Sequence, residues 1–168
     1  RNNIQKMMFG QAGETSWQSV ASYYHQSSYG RLTLQGTVTD WFNSGYSVSD
    51  MEQLDNYHQN AVEIVLDDAV DWVKSSQTHI DLTDYDKDSD GHIDAVWLVY
   101  SAPSQISDLF WAFVSWNYYN FNNKNVANPT SFAYAWASYD FMYEGYGVEG
   151  IDAHTYIHET GHLLGLDD

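Results

Sequence analysis

His158, Glu159 and His162 carry the clearest chemistry in this chain: they spell H-E-x-x-H, and x-x-G-x-x-D follows through Gly165 to Asp168. On a helix, positions i and i+4 lie one above the other, so the imidazoles of His158 and His162 can aim at one metal ion. Glu159 lies about 100° further round and can reach a water beside that ion as a general base. Gly165 can take the left-handed conformation that ends a helix, which turns the chain and returns Asp168 beneath the histidines. Two neutral nitrogens, one carboxylate and an open fourth position describe a catalytic zinc site rather than a structural one. Asp167 is the neighbouring alternative for the third ligand, but the spacing of the extended motif favours Asp168. His154 extends the stripe by one more turn. Three helical histidines span about 12 Å, too far for a single ion, so His154 reads as a neighbour of the site.

A second constellation runs Asp86-Lys87-Asp88-Ser89-Asp90-Gly91-His92-Ile93-Asp94. Carboxylates at positions 1, 3 and 5 with Gly at 6 match the first half of an EF-hand calcium loop. Asp86, Asp88 and Asp90 can converge because Gly91 permits the sharp turn. His92 would offer its backbone carbonyl, and Asp94 occupies the ninth position. Position 12 is Trp97 rather than a bidentate Glu, so this is an EF-like loop that feeds a strand. Its calcium would be structural, because Asp84, Asp86, Asp88, Asp90 and Asp94 repel one another without a cation. The bland alternative is an acidic, solvated turn.

These motifs need elements to position them. Thr15 to Gln26 reads as a helix capped by Thr15 or Ser16, with Trp17, Val20, Ala21 and Tyr24 on one face and a break at Ser27 to Gly30. Alternation of Leu32, Leu34 and Val38 predicts a strand through about Trp41. From Asn56 to Ser76 the apolar stripe Val62, Val65, Leu66, Ala69, Val70 and Val73 predicts a long helix, with Glu63, Asp67, Asp68, Asp71 and Lys74 facing water. Ile93 to Tyr100 reads as a central strand covered on both faces. Phe110 to Tyr143 predicts two or three more strands around a polar loop at Asn120 to Pro129. The histidine helix comes last, with Asp152 as its cap, Ile157, Gly161 and Leu164 facing a core, and the acid–histidine face opposite. This order is α/β (α+β). His25, His58, His79 and His92 read as surface or packing residues. Trp111, Trp116 and Trp136 can line a groove, although aromatic strands are usually core.

Composition bounds the remainder. The 168 residues fit one domain with a real core. A net charge of −17, from 6 Lys+Arg against 23 Asp+Glu, disfavours nucleic acid and anionic membranes as partners and favours cations. No run of about 18 apolar residues is present, so no membrane insertion is expected. The absence of Cys removes disulfides and thiolate ligands together. Arg1 begins the chain without a charged-then-apolar leader, so any signal peptide is expected to lie outside it.

In this order, D-x-D-x-D-G-x-I-D, an apolar strand and H-E-x-x-H-x-x-G-x-x-D resemble the immune-inhibitor-A-like family of secreted bacterial metallopeptidases. Tyr23 to Gly36, with its Tyr-Tyr, Ser-Ser-Tyr-Gly and Leu-Thr-Leu-Gln-Gly runs, is similar to that family's opening helix and first strand. The resemblance implies a metzincin-like zincin: a twisted mixed sheet, a backing helix and an active-site helix above a cleft. It implies secretion, endopeptidase activity on protein or peptide substrates, zinc held by His158, His162 and Asp168, and Glu159 as general base. It also implies that residues 1–168 form the upper part of one catalytic domain, with a lower subdomain and its methionine turn outside the chain. A monomer is expected. The competing class is a calcium-stabilised extracellular adhesion module with a non-catalytic metal site, against which stands Glu159, a residue structural zinc does not need.

Overall fold

The computed structural model describes residues 1–56, 60–145 and 149–167. Asp168, His58 and residues 57–59 of the expected long helix therefore lie outside the described residues. The chain divides into two compact units, one of Arg1–Val38, Val99–Val114 and Trp136–Asp168, the other of Thr39–Leu98 and Ser115–Ala135.

In the first unit, helix α1 (Asn2–Phe9) packs on α2 (Val20–Ser27), and α2 packs on α5 (His154–Leu163). Helix α2 starts at Val20, later than the expected Thr15. The reason is a reciprocal cap: Ser19 Oγ accepts from the Ser22 N–H, and the Ser22 hydroxyl accepts from the Ser19 N–H. Ser16 is engaged elsewhere, donating its N–H and hydroxyl to the Ile151 carbonyl. Trp17 thus falls outside the helix and is exposed. The expected break is present, with Tyr29 and Gly30 both at positive φ. The expected strand over 32–41 is absent. Leu32, Leu34 and Val38 are half-buried, so their alternation records one-sided burial in a segment that is not a strand.

In the second unit, α3 (Val48–Asn56), which the periodicity does not announce, packs on α4 (Ala61–Ser76). Val62, Val65, Leu66 and Val70 are buried, as the stripe requires, while Ala69 and Val73 are half-buried. Two acids expected in water are bound instead. One oxygen of Asp67 accepts from Asn117 Nδ2 at 3.0 Å, Asn120 Nδ2 at 2.9 Å and Ser131 Oγ at 2.7 Å. Glu63 accepts from the Tyr134 hydroxyl at 2.7 Å.

Strands β1 (Val96–Tyr100), β2 (Phe113–Trp116) and β3 (Ala133–Ser138) form one sheet in the order β1-β3-β2. The apolar run expected to be central is therefore an edge strand, half-buried along its length. The central position belongs to β3, whose residues Tyr134 to Ser138 are all buried. The two later strands flank the polar 120–129 segment, and the element set is α+β as expected. Trp136 is core, whereas Trp111 and Trp116 are exposed.

Candidate functional site

Helix α5 is held from several sides. Asp152 accepts from the His154 N–H at 2.9 Å, which caps the first helical residue from one place ahead of the N-cap, Ala153. The fully buried Tyr156 donates its hydroxyl to the Ser138 carbonyl at the end of β3, at 2.5 Å. Burial pushes that hydroxyl's pKa far up, so it remains a donor. Ile157 and Gly161 are buried as expected, but Leu164 is exposed because the helix stops one residue before it.

The helix end determines how His162 is presented. Gly165 has φ +83, the left-handed geometry anticipated for it. Its N–H donates to the His162 carbonyl and the Leu166 N–H to the Gly161 carbonyl, the paired bonds of a Schellman ending. The turn brings the Leu166 carbonyl back to His162 Nδ1 at 2.9 Å. A carbonyl can only accept, so the proton sits on Nδ1 and the neutral ring offers a lone pair at Nε2.

That Nε2 lies 3.2 Å from Nε2 of His158, with the two rings at 89°. Two bare lone pairs at this distance repel, so a proton or a cation must lie between them. Tetrahedral ligation with bonds of about 2.0–2.1 Å places two ligand nitrogens about 3.3 Å apart, and the observed pair fits. His158 and His154 are exposed, while Glu159 is only 6% exposed. The acid does not share the histidines' open face: one residue of helical rotation turns it inward.

In the second unit, the carboxylates of Asp86, Asp88 and Asp94 come within 4.8 Å of one another. Asp86, buried, organises the turn by accepting from the N–H groups of Asp90 and Gly91 at 2.9 and 3.0 Å. Gly91 has φ +90, and a Cβ there would lie 2.5 Å from the Asn125 nitrogen, so the position requires glycine. Asp90 does not join the cluster. Its carboxylate accepts from the His92 N–H and pairs with Lys124 at 3.0 Å, and both hold its pKa down. Although Asp94 is exposed, partial desolvation pushes its carboxyl up against a hydrogen bond from the Lys87 N–H, and the charges of Asp88 and Asp86 add to the rise. His92 packs, as expected, stacked on Phe132 at 5.0 Å. The Thr130 hydroxyl donates to the Asn123 carbonyl, so His92 Nδ1 must donate to Thr130 Oγ1 at 3.1 Å.

The motifs do not reveal the Leu166 carbonyl, Tyr156 or Lys124. The first is inferable from Gly165, since a Schellman ending fixes where the next carbonyl points. The other two act across the fold and leave no local signal.

The family described as immune inhibitor A peptidase M6, catalytic domain, has a model that matches residues 1–168. No curated protein matches the chain.

Proposed function

We infer the function from membership: the chain belongs to the immune inhibitor A peptidase family and is a metallopeptidase catalytic domain acting on protein or peptide substrates. Beyond that, we propose a zinc-dependent endopeptidase exported by a bacterium. The observation that carries this reading is the pair of imidazole nitrogens 3.2 Å apart, one with its tautomer fixed by the Leu166 carbonyl. His158 and His162 would hold the zinc with Asp168, which is proposed from its spacing alone. When bound, zinc supplies Lewis acidity toward the scissile carbonyl and lowers the pKa of a water to about 7.

Glu159 takes a proton from the attacking water as its oxygen bonds to the carbonyl carbon. It then delivers that proton to the departing amine nitrogen as the C–N bond breaks. Glu159 is only 6% exposed, so for this role it would approach the water from the inner side of the helix. Asp86, Asp88 and Asp94, with the His92 carbonyl, would hold a structural calcium, and Asp90 would join by exchanging Lys124 for the cation. No helix among the described residues is long and apolar enough to cross a membrane.

Purified protein should contain one zinc per chain and degrade casein, and a hydroxamate should block that cleavage. Casein hydrolysis that survives phenanthroline stripping would reject the zinc reading. A second expected result concerns the helix end. Gly165→Ala places a Cβ at φ +83 and loosens the bond from His162 to Leu166. Zinc affinity, measured by competition with a chelating dye, should fall roughly 10–100-fold, the usual effect of losing an orienting partner. Unchanged affinity would show that the Leu166 carbonyl does not orient the ligand.

A further inference from the structure

We propose that Tyr24 is a positioning residue for the metal-binding helix: its hydroxyl, reaching from α2 to the Ile157 carbonyl, sets the rotation at which α5 presents His158 and His162. The inference rests on the reading of those two histidines as metal ligands. Tyr24 is 7% exposed and donates to that carbonyl at 2.7 Å. Ile157 immediately precedes His158, and in an α-helix its carbonyl points toward residue 161, one before the second histidine. The contact therefore falls on the turn that joins the two imidazoles.

Gly161 supplies the matching space. A Cβ at that position would lie 3.0 Å from the Tyr24 hydroxyl, while its next neighbours, atoms of Leu166, stand at 3.7 and 3.9 Å. The hydroxyl thus occupies the volume that a side chain at 161 would need, and within the motif the glycine is fitted to Tyr24. Burial, with the neighbouring Tyr23 adding to it, pushes the Tyr24 hydroxyl up to about 12. It remains a donor throughout the neutral range.

Both ends of this strut are anchored. The Ser19 hydroxyl caps α2 and also donates to the Gly10 carbonyl at 2.9 Å, which ties α2 to the end of α1. On α5, Tyr156 reaches out to the Ser138 carbonyl, so adjacent residues fasten the helix through a side chain and through a backbone oxygen. A helix held at two such points resists rolling about its axis. Phe at position 24 would keep the packed ring and lose only the strut.

The experiment compares Tyr24→Phe, Gly161→Ala and the double variant. In metal-free protein, the ring-nitrogen NMR signals of His158 and His162 should move in each single variant at a fixed pH. Zinc affinity should fall roughly tenfold and kcat should fall with KM unchanged, a fraction of the hundredfold that a 1 Å misplacement can cost. Phe lacks the oxygen that the methyl group added by Gly161→Ala would meet, so the double variant should be no worse than Tyr24→Phe alone. Superimposable ring signals in a Tyr24→Phe protein whose melting temperature has dropped would reduce the hydroxyl to a stabilising bond and overturn the proposal. Additive losses in the double variant would do the same. Should the parent protein take up no zinc, the metal reading fails separately, and the ring signals still decide the role of Tyr24.

Discussion

Glu159→Gln is expected to lower peptide hydrolysis at least about 100-fold while the protein keeps its metal and its fold. General acid–base catalysis by a placed carboxylate contributes roughly 10²–10⁴-fold, and an amide can neither accept nor return the proton. The substitution preserves volume, which matters because Glu159 is only 6% exposed and its site would not tolerate a cavity without cost. Gln also retains a carbonyl oxygen, so the effect isolates proton transfer from packing. The contact of His162 Nδ1 with the Leu166 carbonyl should be kept, because it does not involve residue 159. Three readings on one preparation decide the matter: kcat/KM on a peptide substrate, bound zinc by elemental analysis, and melting temperature. Parent-level turnover with normal zinc content would remove Glu159 as the base. A loss of zinc along with activity would instead make it a determinant of the metal site.

How far the sequence reaches depends on whether a residue's partner is local. The i, i+4 histidines, the ending at Gly165 and the turn at Gly91 are set within a few residues, and they stand where the spacing places them. The stripe of α4 likewise predicts its buried face, because a helix meets its core at a fixed period. Pattern and structure diverge where the partner is distant. Leu32, Leu34 and Val38 alternate like a strand, yet pairing requires an edge that no local pattern announces. Ile93 to Tyr100 is apolar enough for a central strand, but β3 takes that place. In β3, Ala133, Ala135 and Ala137 alternate with Tyr134 and Trp136, so small and large side chains let it be covered closely on both faces. Asp67 reads as a solvated helix acid until Asn117, Asn120 and Ser131, far along the chain, are seen to converge on it. A two-sided picture of the last helix puts Glu159 on an open face, whereas one residue of helical rotation from the exposed His158 leaves it only 6% exposed.

Removing calcium with a chelator is expected to lower the melting temperature by about 5–10 °C. A ligand at a hundred times its Kd adds about 2.7 kcal/mol, and each kcal/mol shifts a domain of this size by about 2–4 °C. Asp88→Ala separates the ion from the loop itself. Asp88 is exposed and accepts the Asp90 N–H at 3.1 Å, a bond that N–H also makes to Asp86, whereas Asp86 holds the turn together. The variant should therefore lose the gain from calcium and melt no lower than the parent in chelator. The pH dependence has a definite sign. Without calcium, the exposed Asp94 has its carboxyl raised above the ordinary 3.8 by partial desolvation, with Asp88 and Asp86 adding to the rise. A raised carboxyl contributes stability that is fully present below its unfolded pKa and is lost as pH rises through its folded pKa. Calcium requires the ionised form, so its stabilisation should grow over the same interval as protons leave. The difference between the calcium and chelator melting curves should thus widen from about pH 4 toward neutrality, where carboxylates are free to bind. Coincident curves at neutral pH would identify the loop as an acidic turn closed by its own backbone bonds and Lys124.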